Sequence, residues 1–361
     1  MSAVRKSLAA LLVLAGCGGA PFAGSGGGGG GVTVSSVSDL PSTSSGVSAA
    51  NGVERHEGHK RGPDDKPGTV NTGPYVGNGF AFKNGKINYD GTKDTFTVDN
   101  LAFDGGNVYQ HTTVGGDMGP DAGPARVFKA DSTYADDQTG ELIDQFSYRT
   151  LYGVSDTGRT RFAIVRTGAY RNYGFGGFIY NRTGGVTLPT TGEAQYKGTY
   201  AGLRDSTAGG LAYTTGDMQM SIDFNDFNPE ESATGNGAGI KGYITNRHIF
   251  DLNGNEITDS VLAGINADKK PLTDLTELPT LAFKVGPGVL DNNGEAQGEL
   301  NSVIVVKGVG GAGTVQQLEG GKYYAVVSGT NADEVAGVIV VVSTVAGTDF
   351  RETGGFILYR P

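Results

Sequence analysis

The chain has no tryptophan and only one cysteine, Cys17. A lone thiol cannot close an internal disulfide, so the fold must be held by packing and hydrogen bonding. Charge is also sparse: Asp, Glu, Lys and Arg make up 18% of the residues, with 28 basic against 38 acidic side chains and a formal net charge of -10. An acidic surface of this kind argues against nucleic acid as a partner. No apolar run reaches the ~20 residues that a membrane-crossing helix needs. The four histidines form no catalytic or zinc pattern. His56 and His59 are three apart in a glycine-rich stretch, where a zincin helix would need them four apart, and His111 and His248 are isolated. There is no G-x-S-x-G elbow and no Walker-type phosphate loop, so the reading is a non-enzyme with no catalytic residues, no metal site and no resident cofactor.

What is abundant is glycine, 62 of 361 residues, more than twice the usual ~7%. The N-terminus reads "MSAVRKSLAALLVLAG": Arg5 and Lys6, then an apolar stretch from Leu8 to Leu14, then Ala15 and Gly16 just before Cys17. This order of charge, apolar run and small residues resembles a bacterial lipoprotein signal over 1–16, with Leu14, Ala15, Gly16 and Cys17 as its lipobox. The chemistry suits the residues. A thiolate is a nucleophile fit to take a lipid, and small side chains let a peptidase reach the backbone before it. The resemblance implies a mature chain that starts at a lipidated Cys17. Gly18 stands where an inner-membrane retention signal would have aspartate, which implies an outer-membrane, lipid-anchored, surface-displayed protein. Several acyl chains at ~0.8 kcal/mol per buried methylene make such an anchor stable.

From 17 to 72 the sequence is "GGAPFAGSGGGGGGVTVSS" and similar low-complexity chain with few large apolar groups. Ordering it would cost ~1–2 kcal/mol per residue with little burial in return, so it reads as a disordered tether. About 50 residues of such chain span about 40 Å. Beyond it the fold class is all-β, because alternation dominates and the helical period is nearly absent. Residues 73–190 form a β-rich domain, with "KINYDGTKDTFTVDNLAF" as a hairpin around Asp90-Gly91. Pro189 and its turn-forming neighbours mark a boundary, and 191–361 holds eight strand candidates, the count of a small closed antiparallel barrel. Met218, Met220, Ile222 and Phe224 alternate with Asp217, Gln219, Ser221 and Asp223, giving one apolar and one wet face. The run Val338–Val342 is apolar on both faces and is expected where the first domain docks. "DSVLAGINADKKPLTDL" reads as a short helical or irregular excursion, and Asn253-Gly254 as a hairpin turn.

The order "YKGTYAGLR", "MSIDFN", "GIKGYI", "ADEVAGVIVV" and "RETGGFILYR" resembles the barrel domain of the transferrin-binding protein B family of surface lipoproteins, over 196–361. Glu334, Ala336, Gly337 and then Glu352, Thr353, Gly354, Gly355 and Phe356 carry the closing part of that pattern, and the lipobox and polyglycine run agree with it. The resemblance implies a handle domain followed by an eight-stranded barrel, and non-covalent capture of an iron carrier, haem or another solute or host protein. It leaves open an outer-membrane transporter as partner. Here the chain has room for one handle and one barrel, whereas that receptor has two lobes, and the family's ligand-contacting loops have no counterpart. The glycines and Glu352 are expected to fix turns and barrel closure. A surface adhesion or shielding role without transport is the competing reading. An integral outer-membrane barrel is disfavoured by the polar strand "GDMQMSIDFN".

The binding candidates lie in residues 148–182, where six arginines meet the single acid Asp156 inside an acidic protein, interleaved with tyrosine and phenylalanine. Arg149, Tyr152, Arg161, Arg166, Tyr170, Arg171 and Tyr173 are the residues singled out. Arginine and tyrosine are enriched at interface hot spots, and they suit an acidic ligand. If haem is the ligand, arginine pairs its propionates and a tyrosine ligates its iron. The alternative is that these are the outward faces of ordinary strands, with arginine stems lying over rings.

Overall fold

The computed structural model describes residues 47–49, 52–56, 87–98, 108–135, 137–167, 176–206, 210–224, 239–268, 274–285, 289–307, 313–343 and 350–361. The leader, Cys17 and its lipobox lie outside these residues, as do His59 and the side chain of His56.

Strand β1 (Val47–Ala49) is followed by β2 (Val53–His56), β3 (Ile87–Asp90), β4 (Thr95–Val98), β5 (Val108–His111), β6 (Arg126–Ala135), β7 (Leu142–Val154), β8 (Thr160–Arg166) and β9 (Gly176–Arg182). Strands β2 to β9 make one open antiparallel sheet in the order β2-β9-β8-β7-β6-β5-β4-β3. Strand β1 pairs with β10 (Val186–Leu188). The rest is β11 (Glu193–Ser206), β12 (Gly210–Asp223), β13 (Gly239–Phe250), helix α1 (Thr258–Asp268), β14 (Leu281–Phe283), β15 (Glu295–Lys307), β16 (Gly313–Ser328), β17 (Glu334–Ser343) and β18 (Phe350–Tyr359). Strands β11 to β18 form a closed antiparallel barrel in chain order, and the β11–β18 pairing completes the ring. The all-β class, the eight-stranded barrel and the helical excursion all agree with the sequence reading.

Two strands fall inside the segment read as a tether. The cause is edge pairing, which composition hides: β2 needs only four residues to add to β9, and it buries Val53 while placing Arg55 against the barrel. The Asp90-Gly91 hairpin also differs in detail. Its turn runs over 91–94, with the Asp90 carboxylate accepting from the backbone of Thr92 and Lys93. Asn253-Gly254 is a turn, as expected, with Gly254 at φ 85°.

Alternation builds three apolar layers. Met218, Met220, Ile222 and Phe224 point into the barrel with Tyr196, Tyr200, Tyr323, Phe283, Phe356 and Leu358, so side chains fill the interior. One face of the open sheet carries Val53, Val127, Leu151, Phe162, Ile164, Phe178 and Tyr180, and these pack on Ala201, Leu203, Val326, Ala336, Val338 and Ile357 of the barrel wall. The other face carries Ile87, Phe96, Val98, Tyr109, Phe128, Tyr148, Tyr152 and Ile179 as a separate core. Strand β17 is accordingly apolar on both sides: Ile339 and Val341 face the barrel core, while Val338 faces the sheet. Cover ends at Val342, which is 38% exposed.

Two glycines are demanded by close approach rather than by turns. A Cβ on Gly355 would run into the ring of Phe162 on the sheet, and one on Gly354 would run into Tyr200 inside the barrel. Both lie in the middle of β18, so their part in closure is to let side chains cross the seam.

Beneath α1, the barrel holds a buried ionic cluster. Arg247 makes a bidentate pair with Glu319 at 2.7 and 2.8 Å and also donates to the Pro279 carbonyl. Glu352 accepts from the Tyr200 hydroxyl at 2.7 Å and sits 3.5 Å from Arg204, whose guanidinium lies 3.3 Å over the Phe350 ring. Burial pushes the Glu319 carboxyl up, but Arg247 outweighs it and leaves the group below its ordinary value. Helix α1 packs above this cluster through Ile265 on Ile304, Val306 and Leu318, and through Leu262 on Ile249 and Leu278.

A second buried pair ties sheet to barrel. Arg55 on β2 bonds Glu295 on β15 through Nε–Oε2 at 2.7 Å and Nη2–Oε1 at 2.9 Å, and both side chains are about 5% exposed. Glu295→Leu alone is expected to destabilise the protein by ~3–5 kcal/mol, because it removes the carboxylate that pairs with the buried Arg55 guanidinium, while adding Arg55→Met should restore most of the loss. Urea midpoints of the wild type, both single variants and the double variant check this; equal losses in the single and double variants would refute it.

Candidate functional site

The arginine and tyrosine run folds into the end of β7, all of β8 and β9. Strand alternation sends its members to opposite faces of the sheet. Arg149 and Arg166 share the barrel-facing side and stand directly opposite each other in the β7–β8 register. Tyr152 lies on the other side, 5% exposed, with the Tyr89 and Phe96 rings at 5.3 and 5.2 Å. Arg161 is on that side too, donating from Nε to Asn181 Oδ1 at 3.1 Å. Tyr170, Arg171 and Tyr173 lie outside the described residues; in sequence they belong to the connection between β8 and β9. The structure therefore brings Arg149 and Arg166 together and separates both from Tyr152 and Arg161.

Like charges opposite one another in a sheet are unfavourable unless each finds its own partner. Arg149 donates to Asp131 Oδ1 at 3.2 Å and to the Tyr148 carbonyl at 3.0 Å. Arg166 is 3% exposed and donates to Thr353 Oγ1 on β18 at 3.0 Å. Burial lowers its pKa to about 10, with Asp205 on β11 opposing the fall, so it stays charged at neutral pH. Asp205 is 2% exposed, and burial pushes its carboxyl up to about 6 against the pull of Arg166. The Tyr213 hydroxyl is likewise raised to about 12 by burial, with Arg149 pulling the other way. These groups make a charged rim where the sheet meets the barrel, at the same end of β8 from which the 168–175 connection leaves.

The other end of the junction is a lock. The β7–β8 turn brings Arg159 to Asp333 at 2.7 Å, Thr157 to Glu334 at 2.6 Å and the Thr160 hydroxyl to the second oxygen of Glu334. The Asp156 backbone N–H donates to the Tyr359 hydroxyl at 2.7 Å. From β9, Arg182 donates to the carbonyls of Gly184, Asn293 and Val327. Two of the six arginines, Arg159 and Arg182, thus fasten the open sheet to the barrel.

Sequence reasoning missed Asp205, Glu295 and Asp333, which face Arg166, Arg55 and Arg159, and singled out Glu334 only as part of the closing barrel pattern. Only three-dimensional pairing reveals these, since Arg55 and Glu295 lie 240 residues apart. The barrel cluster did leave a signal. Arg204 and Glu352 continue the inward alternation of Tyr196 and Tyr200 and of Phe356 and Leu358, at positions where a lone charge could not stay. Among the described residues, no group of three His, Cys, Asp or Glu is arranged to hold a metal ion.

The Asp205 carboxyl has a folded pKa of about 6, above the ordinary ~3.9 of an unfolded chain. Its buried charge therefore penalises the fold fully above pH 6, and the penalty fades as pH falls through 6 towards 4. Asp205→Asn should be more stable than wild type at pH 7.5, by up to ~3 kcal/mol, and nearly equal to it at pH 4. Urea midpoints of both proteins across this range test the sign; a variant less stable than wild type at pH 7.5 would count against it.

No protein-family model matches the chain, and no curated protein matches it in sequence. Among solved structures it is similar to a double mutant of transferrin binding protein B from Haemophilus parasuis Hp5, with 12% identity and a TM-score of 0.32 over 75% of this chain and 43% of that one. It is also similar to the isotype 1 transferrin binding protein B from serogroup B Neisseria meningitidis, with 12% identity and a TM-score of 0.28 over 65% of this chain and 35% of that one. The chain thus spans less than half the length of either protein.

Proposed function

We propose that this chain is a lipid-anchored binding protein of the bacterial outer membrane that holds its β body at the cell surface and captures a ligand non-covalently. The observation that carries this reading is the place of the only thiol: Cys17 directly follows a charged, then apolar, then small-residue leader and precedes a glycine run. The ligand class is an iron carrier, haem or another solute or host protein, in the manner of the transferrin-binding proteins. An outer-membrane transporter is the matching partner.

Ligand contact is assigned to the β8–β9 connection carrying Tyr170, Arg171 and Tyr173, flanked by Arg149 and Arg166 at the rim. Tyr152 and Arg161 brace the strands on the sheet face away from the barrel. A basic, tyrosine-bearing loop on an otherwise acidic protein suits an acidic ligand, and haem propionates and iron are one instance.

Mass spectrometry of the full chain expressed in a Gram-negative host should show acyl groups on Cys17, and Cys17→Ser should leave the membrane fraction. Haemin and transferrin titrations against wild type and Arg171→Glu should show at least a tenfold loss of affinity for one of the two, about 1.4 kcal/mol. A membrane-bound Cys17→Ser protein would overturn the anchor. Unchanged binding of both probes by a folded Arg171→Glu variant would overturn the assigned contact and leave the anchor standing.

A further inference from the structure

The buried arginines Arg55, Arg166, Arg182, Arg204, Arg247 and Arg360 are not equivalent. The first five each reach a carboxylate, a hydroxyl or backbone carbonyls. Arg360 does not: both of its terminal nitrogens, Nη1 and Nη2, are sealed from water and meet no acceptor among the described residues, although the residue is only 2% exposed.

Its place in the fold explains how this arises. Along β18 the side chains of Phe356 and Leu358 enter the barrel core, and the same alternation carries Arg360 to the inner mouth of the barrel. Its backbone N–H is fixed by the Asp333 carbonyl at 3.1 Å. Its charge bears on Tyr196, whose hydroxyl is committed to the Ala332 carbonyl at 2.5 Å. The acids of that turn are engaged elsewhere: Asp333 by Arg159, and Glu334 by Thr157 and Thr160. A guanidinium cannot shed its proton to escape burial, and an uncompensated buried charge is strongly destabilising. A fold that keeps one there calls for an acceptor from outside the chain.

We propose that Arg360 is the binding group of an oxyanion site at this mouth of the barrel. Two side-by-side N–H-bearing nitrogens form a planar fork that matches two oxygens of one group, so the ligand chemistry is a carboxylate or a phosphate. The site lies apart from the rim that carries Arg149 and Arg166, and its occupation does not depend on the capture role proposed above.

The test uses the purified full chain in a zwitterionic buffer of low anion content, with sodium acetate and sodium phosphate as probes and sodium chloride at equal ionic strength as control. Acetate or phosphate should raise the thermal midpoint of the wild type by several degrees beyond chloride, with saturation. A response to acetate alone identifies a carboxylate site, and one to phosphate alone a phosphate site. Arg360→Met should lose this response while being more stable than wild type in the low-anion buffer, and Arg360→Lys should weaken probe binding by calorimetry at least tenfold. A wild type that responds to neither probe beyond chloride would overturn the proposal, and this holds even if a variant fails to fold. So would an Arg360→Met protein that keeps the full response, or one that is less stable than wild type by the same amount in every buffer.

Discussion

An open sheet that is apolar on both faces cannot stand alone in water. The face of β7, β8 and β9 that carries Leu151, Phe162, Ile164 and Phe178 finds its cover on the outer wall of the barrel, at β11, β17 and β18. That single burial sets the features around the seam. It requires β17 to be apolar on both sides, it requires Gly355 where Phe162 presses on β18, and it turns Arg149 and Arg166 towards the barrel. Apolar burial is non-directional, however, and would tolerate sliding. Direction comes from the polar fasteners at the margins of the seam, Arg55 with Glu295, Arg159 with Asp333, and Glu334 with two threonines, which each accept one geometry.

The barrel applies the same division of labour internally. Tyrosines and aliphatic chains fill its middle, and the Arg247–Glu319 and Arg204–Glu352 pairs sit beneath α1, where every partner is itself bonded to a hydroxyl or carbonyl or lies against a ring. A cluster so fully satisfied is costly to disturb from one side only. For the proposed capture role, the result is a stiff support: the connection bearing Tyr170, Arg171 and Tyr173 starts and ends on strands held by the seam.

The sequence showed the barrel well because its signal is local. All eight strand candidates became strands of the ring, since each carries its own alternation and its own turn residues, as β12 does with Met218, Met220, Ile222 and Phe224. Strand β2 stayed hidden because four residues, VERH, bear no periodic signal and owe their order to a distant neighbour. The candidate site was legible as composition and illegible as geometry. Six arginines in one run read as a patch, yet the two-residue repeat of a strand sends Arg161 and Arg166 to opposite faces, and the barrel partner of Arg166 lies in a different part of the chain.

One element of the ring is unlike its fellows. Strand β14 has three residues and shares only two register pairs with each neighbour, while its neighbours β13 and β15 run to 12 and 13 residues. A closed hoop distributes any outward strain around its circumference, so it parts where the fewest rungs resist. Deuterium from solvent should therefore enter the barrel first beside Leu281–Phe283, and the ring would unbutton there into a curved ribbon with two bare edges, long before the seam with the open sheet lets go.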